Sequence, residues 1–166
     1  MLELLEEAEK RLPYLLQDRD AWKSLFIDYH PPFVERLWIP FINGSRLSLH
    51  RIHPCNADEA LFHPHPWPSA MKIIRGTYEM AIGYGTGNTP PPVAALLINS
   101  QGSSYEMTDP NAWHYVRPLG TYAHTIMVTG IPWTRESPQP DKALRPLTPE
   151  EKDHLFSVAN RRYTFA

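Results

Sequence analysis

The chain has 166 residues and a formal net charge of −2, a length that fits one domain with a core of its own. The near-neutral charge and the scattered basic residues give no indication of a nucleic-acid partner, and no apolar run approaches the roughly 20 residues of a membrane span. The single cysteine, Cys55, excludes an internal disulfide and a CxxC motif, and the acidic start MLELLEEAEK lacks the basic region of a signal peptide, so we expect a cytoplasmic protein.

Helical patterns occupy residues 1–32. The first predicted helix covers about Leu2–Leu12 and ends at Pro13, which has no backbone N–H to donate. Apolar residues at helical spacing predict a second helix in the segment DAWKSLFIDYH, residues 20–30, which ends before Pro31-Pro32. We interpret residues 1–32 as an N-terminal helical arm.

Residues 33–135 are predicted to form about eight short strands with no helix between them. Asn43-Gly44, between two extended runs, is the strongest short signal for a β-hairpin. The chain has 18 prolines, but its 5 Trp, 8 Tyr and 6 Phe argue against disorder, so the prolines are expected to separate strands. The pattern indicates an all-β sandwich or barrel. Beyond the hairpin, strands are predicted at 70–74, 77–84, 94–98, 104–107, 113–117 and 122–129.

Residues 136–166 are predicted to contain a proline-rich linker and a C-terminal helix. The linker runs from Pro138 to Pro146. The segment Thr148-Pro149-Glu150-Glu151 has the form of a capping box with proline at the first helical position. This signal predicts a helix that runs to about Asn160.

The segment FHPHPWPSAMKIIRGTY, residues 62–78, contains two histidines one residue apart. Alternate residues of a strand point to the same face, so His63 and His65 can present both imidazoles to one metal ion. Pro64 and Pro66 favour an extended backbone for the residue before each of them. An HxH pair by itself is equally typical of two surface histidines on an edge strand.

In this context the chain resembles the cupin superfamily, small β-barrels with an HxH-Glu-Gly motif and a second motif that ends in histidine. Gly76 follows His65 by eleven residues, as in the first motif, and DPNAWHYVRP is similar to the second motif and contributes His114. The resemblance covers roughly residues 37–133. It implies an all-β cupin-type double-stranded β-helix, or jelly roll, with a metal site of His63, His65 and His114.

Two positions depart from the cupin pattern. Ser69 stands where a glutamate ligand is usual, and the second motif is one residue shorter than the common PxGxxH form. The remaining three imidazoles suit Fe(II), Zn, Ni or Mn. Fe(II) is preferred, because a three-His cupin site resembles that of the thiol dioxygenases. Without a carboxylate ligand the metal keeps its full charge, so an anionic small molecule is the expected substrate.

His124, in the strand segment TYAHTIMVTG, is the first candidate catalytic residue. It could point inward as an acid–base group or hydrogen-bond donor, or it could be a structural histidine that caps a backbone group. Thiol dioxygenases have a Ser-His-Tyr relay on alternate residues in this region, and only the histidine of that relay is present here. His50 and His53 are interpreted as loop or surface groups.

Arg51 is the second candidate catalytic residue. If Leu47 and Leu49 mark the core face of their strand, then strand alternation carries Arg51 inward with them. A buried arginine needs an anionic partner. The functional candidate is a substrate carboxylate, and the alternative is a salt bridge to Glu79 or Glu106.

The sequence favours a metal-dependent cupin enzyme that acts on a small molecule, with an Fe(II) dioxygenase as the preferred reaction class. Two alternatives stay open, a non-catalytic cupin that binds a ligand and regulates another process, and a cupin isomerase or lyase with His65 or His124 as general base. The fold by itself does not choose among them. A homodimer is also expected, with the terminal helices serving assembly.

Overall fold

The computed structural model describes residues 1–163, which form two antiparallel sheets and two terminal helices. One sheet has six strands and the other has four, and no α-helix lies between the strands, as the all-β prediction requires. The elements in chain order are α1 (Leu2–Leu15), β1 (Lys23–Ile27), β2 (Val34–Pro40), β3 (Arg46–Ile52), β4 (His63–Pro64), β5 (Ser69–Arg75), β6 (Thr77–Tyr84), β7 (Ala95–Ser100), β8 (Ser104–Met107), β9 (Ala112–Pro118), β10 (Ala123–Thr129) and α2 (Pro149–Tyr163).

The six-stranded sheet, in the order β1-β2-β3-β10-β5-β8, is buried on both faces. Its outer face is covered by α1 and α2, which place Leu12 and Phe156 in one apolar cluster with Leu47 and Leu49 of β3. Its inner face packs towards the four-stranded sheet, order β4-β9-β6-β7, through a second cluster that contains Ile52, Met71, Ile73, Tyr78, Met80, Ala123 and Met127. The apolar face of α1 is therefore buried within its own chain. In residues 1–163, neither helix is long and apolar enough to cross a membrane.

Residues 23–27 form strand β1, so the helix predicted over residues 20–30 is wrong. Their backbone pairs antiparallel with β2, from Lys23 opposite Trp38 to Ile27 opposite Val34. Trp22 and Phe26, four residues apart, both pack towards the helix-side cluster. That spacing fits a strand as well as a helix, and the neighbouring strand decides between them.

The other terminal predictions differ in detail from the structure. α1 continues through Pro13 to Leu15, because the proline removes only one hydrogen bond from a helix that is anchored by its buried apolar side. The capping box is confirmed, since the Glu151 N–H donates to Thr148 Oγ1 and the Thr148 N–H donates to Glu151 Oε2. α2 runs to Tyr163, and residues 164–166 of the predicted C-terminal segment lie outside the described residues.

The hairpin predicted at Asn43-Gly44 is confirmed. Asn43 has a φ of 54° and Gly44 a φ of 77°, the left-handed conformations that a tight hairpin turn requires. β2 and β3 pair on either side of it, with Pro40 opposite Arg46. The hairpin fixes which residues of both strands share a face.

A polar group of three side chains lies on the inner face of the six-stranded sheet. Arg36, on β2, donates from Nε to His50 Nε2 at 2.9 Å, and His50 Nδ1 lies 3.1 Å from Thr125 Oγ1. Because Nε2 accepts, the proton of His50 is on Nδ1 and is donated to Thr125. His50 is only 3% exposed, so its interpretation as a loop or surface residue is wrong.

The buried His50 makes stability depend on pH. Burial, together with the charge of Arg36, holds the pKa of His50 well below its usual range. The unfolded chain takes up this proton below about pH 6.5 and the folded chain does not, so the free energy of unfolding falls as the pH falls below that value, by up to about 1.4 kcal/mol per pH unit from this group. We predict a shallower dependence for His50→Gln, which keeps an acceptor for Arg36, in urea unfolding between pH 7 and 5. Equal slopes for variant and wild type would contradict the assignment.

Candidate metal centre

The pairing of β4 with β9 brings two of the three predicted ligands together. His63 lies opposite His114 in this antiparallel pair. On β9, His114 alternates with Trp113 and shares its face with Val116, which packs against the inner cluster. His114 therefore points into the space between the sheets.

His65 completes a cluster of three imidazoles. Its ring centroid lies 4.8 Å from that of His63 and 4.6 Å from that of His114. One ring nitrogen from each histidine lies within 4.8 Å of the others, so small side-chain adjustments suffice for one ion to reach all three. The structure thus brings together the three residues that the sequence singled out.

The hydrogen bonds of the cluster leave ring nitrogens available to a metal. His63 Nδ1 donates to the carbonyl oxygen of Leu61 at 2.8 Å, which leaves Nε2 unprotonated. His65 Nε2 and His114 Nε2 are 2.6 Å apart, so they share a proton unless a cation takes its place. His114 Nδ1 is buried and has no hydrogen-bond partner among the described residues.

The surroundings keep all three imidazoles neutral. Burial lowers the pKa of His63 to about 4 and that of His114 to about 3, and nearby histidines add to both effects. Burial, followed by the charges of His114, His63, Arg36 and His30, lowers the pKa of His65 well below its usual range. Neutral imidazole is the form that binds metals. The three side chains therefore fit a divalent cation in their chemistry as well as in their position.

Ser69 is the first residue of β5 and is 6% exposed. It shares a strand face with Met71 and Ile73, which belong to the inner cluster, whereas Ala70 and Ile74 face the helices. Its side chain is thus on the side of the sheet that faces the interior, as the motif alignment requires.

Gly76 lies between β5 and β6 and has a φ of 87°. A Cβ at this position would lie 2.7 Å from the carbonyl oxygen of Tyr122 and 3.1 Å from the Cα of Ala123. Only glycine fits both the backbone conformation and the close approach of the strand that follows Tyr122. The backbone geometry therefore explains why glycine occupies this position of the first cupin motif.

Two aromatic residues outside the predicted ligand set border the triad. His30 precedes the Pro31-Pro32 pair, and its ring lies 5.3 Å from that of His63. Trp67 lies 5.7 Å from the ring of His65. A cavity of about 320 Å³ also borders His63, and its wall includes Phe62 and Trp113. HxH is a local signal, whereas the positions of His30 and Trp67 depend on how loops fold over the sheet edge.

Arg51 lies on the face of the sheet that the helices cover. It shares the face of Leu47 and Leu49, as the strand alternation predicted, but that face packs against the helices, so Arg51 points away from the space between the two sheets. Its Nη1 lies 3.3 Å from Glu35 Oε1, and its guanidinium is 3.8 Å from the ring centroid of Tyr122. Glu35 thus takes the role considered for Glu79 or Glu106.

His124 lies on the same outer face. It is opposite Arg51 in the β3–β10 pairing and alternates with residues of the inner face such as Ala123. Its Nε2 lies 3.0 Å from His154 Nε2 of α2, so it connects the sheet to the C-terminal helix. The expectation that His124 points inward is therefore wrong. Arg51 and His124 both lie on the opposite side of the sheet from the triad, and their catalytic roles stay predictions.

Comparison with known proteins identifies the fold. No protein-family model and no curated protein sequence matches the chain. Among solved structures it is similar to hydroxypropylphosphonic acid epoxidase from S. wedmorenis, with a TM-score of 0.53 and 16% identity over 68% of this chain and 56% of that one. It is also similar to FeII HppE, with a TM-score of 0.50 and 16% identity over 68% of this chain and 57% of that one. The Clostridium difficile EutQ protein matches with a TM-score of 0.47 and 14% identity over 66% of this chain and 78% of that one.

The chain thus aligns with little more than half of the epoxidase structure. At this level of identity the likeness concerns the fold alone. Together with the two antiparallel sheets and their order, it shows that the chain is an all-β jelly roll of the cupin type with helices at both ends.

Proposed function

We propose that this chain is a metal-dependent cupin enzyme that acts on a small molecule, with its metal held by His63, His65 and His114. The observation that carries the proposal is the convergence of three neutral imidazoles. No carboxylate of the described residues belongs to the cluster. Three protein ligands leave coordination positions for other molecules, which is typical of catalytic rather than structural metal sites.

Fe(II) is the metal that we propose, and Zn, Ni and Mn are the alternatives. Bound iron supplies open coordination positions and the electrons for chemistry with O2, so a dioxygenase is the reaction class that we propose. The protein fixes the ring of His63 through the Leu61 carbonyl, which orients its other ring nitrogen for the metal. The similarity to a structure that contains FeII makes iron the first metal to test.

The first test of the triad is metal binding. We expect the wild-type chain to bind one Fe(II), or one Zn under aerobic conditions, in calorimetric titrations. His63→Ala and His114→Ala each remove one of three ligands and should weaken binding by at least about tenfold. The control is His53→Ala, because His53 contacts Glu35 and Tyr122 away from the triad. Unchanged affinity in both triad variants would contradict the site.

Ser69 offers a second test of the same site. Ser69→Glu should place a carboxylate on the inner side of β5 and tighten Zn retention against a chelator, because the ion gains a charged ligand. It should also reduce activity on any substrate that needs two free metal positions. Ser69→Gln has the same length without the charge and should show no such gain. If the glutamate variant holds Zn no better than the wild type, the Ser69 side chain does not reach the ion.

We also propose a homodimer, formed through β7 rather than through the terminal helices. β7 is the end strand of the four-stranded sheet, carries no charged residue and exposes Leu96, Leu97 and Ile98 by 59%, 41% and 59%. Antiparallel pairing of two copies would extend the sheet and bring these side chains beside their copies.

The anionic small-molecule substrate and the cytoplasmic location expected from the sequence are retained as parts of the proposed function.

The dimer predicts a specific change in mass. Leu96→Lys with Ile98→Lys should convert a dimer into a monomer in sedimentation at micromolar concentration, because two charges would meet their copies across the edge. Lys10→Glu on the exposed side of α1 is the control and should leave the dimer unchanged. A wild-type monomer, or a dimer that survives the double substitution, would contradict this interface.

A further inference from the structure

A second charged feature lies on the inner face of the six-stranded sheet, away from the histidine triad. Arg36 is only partly exposed, and its Nε is used by His50. Among the described residues, no carboxylate forms an ion pair with Arg36 or with Arg46. Arg46 is exposed, whereas the partly buried guanidinium of Arg36 is costly in this position unless an anion compensates its charge.

Both arginines open into one cavity of about 220 Å³. Ser48 and Thr129 add hydroxyl groups to its wall, and in the described part of the chain none of the residues that line it is acidic. The remaining wall is apolar and aromatic and includes Trp38, Trp67 and Met127. The cavity thus combines a positively charged end with room for a small apolar body.

Strand register explains why the two arginines meet there. Arg36 lies opposite His50 and Trp38 lies opposite Ser48 in the β2–β3 pairing, so these four side chains share the inner face. Arg46, two residues before Ser48, shares that face and stacks over the ring of Trp38 at 4.9 Å. The stacking fixes the guanidinium of Arg46 at the side of the cavity.

The cavity is next to the triad. Trp67, which forms part of its wall, lies 5.7 Å ring to ring from His65. A ligand in this cavity that contacts Trp67 would therefore lie near the metal that we propose for His65.

We infer that this cavity is the substrate's anion subsite, in which Arg36 and Arg46 bind the carboxylate or phosphonate head of a small molecule with a short apolar body. The inference rests on the proposed function for the role of the bound molecule as substrate, but the binding of the anion itself does not need the metal. Arg36 can offer its terminal nitrogens in a bidentate contact while Nε stays with His50. Trp38 and Trp67 would contact the apolar body.

The experiment is a titration of metal-free protein with 4-fluorobenzoate, followed by ¹⁹F NMR, with 4-fluorobenzamide as the neutral analogue. We expect the benzoate to bind at least about tenfold more tightly than the benzamide, a difference of about 1.4 kcal/mol. Arg36→Gln should remove most of that preference, and Arg46→Gln should reduce it. Arg11→Gln is the matched control, because Arg11 lies on α1 and pairs with Glu7.

Two results would overturn the inference. One is equal binding of benzoate and benzamide to the wild type, and the other is an unchanged preference in a folded Arg36→Gln variant. If that variant does not fold, Arg46→Gln decides in the same way. In Mn(II)-loaded protein, broadening of the bound benzoate signal should place the anion near the triad. Protein that binds the benzoate but no metal would refute the proposed metal site and leave the anion subsite standing.

Discussion

The antiparallel pairing of β4 with β9 is the constraint on which the candidate site depends. β4 has only two residues, yet its register sets His63 opposite His114 and leaves His65 close enough to touch the same point. The prolines after each histidine of the HxH segment restrict that segment to extended geometry. The Leu61 carbonyl then fixes the ring of His63, so the two imidazoles of the HxH segment meet the distant His114 with their nitrogens close enough for a common ion.

The six-stranded sheet explains which other polar residues can take part. Because it is buried on both faces, each of its strands carries two sets of inward-facing residues, one towards the helices and one towards the second sheet. Glu35 and Arg51 form an ion pair on the helix side. Arg36 and His50 lie on the other side, where the guanidinium has no carboxylate partner among residues 1–163. The alternation of β2 and β3 therefore separates structural charge from charge that is available to a ligand.

Part of this organisation could be predicted from the sequence. Strands β6 and β8 begin and end where their turn residues predicted, and the HxH spacing led to the triad because strand alternation is a local property. β1 could not be predicted in this way, since the spacing of Trp22 and Phe26 fits both periods and only its pairing with β2 decides. The sequence also did not predict that Arg36 faces the second sheet and that Arg51 faces the helices. Leu47 and Leu49 mark an apolar face, but the sequence does not say that the helices cover that face while the opposite one lines the barrel interior.

The most direct measurement of the central claim is X-ray absorption at the iron edge of the Fe(II)-loaded protein. We expect a first shell with three imidazole nitrogens at about 2.1 Å, completed by oxygen from solvent, and no carboxylate of the protein. His65→Ala should lower the imidazole number to two without changing the oxidation state. A first shell with no imidazole, or with one only, would contradict the assignment of His63, His65 and His114 as the metal ligands.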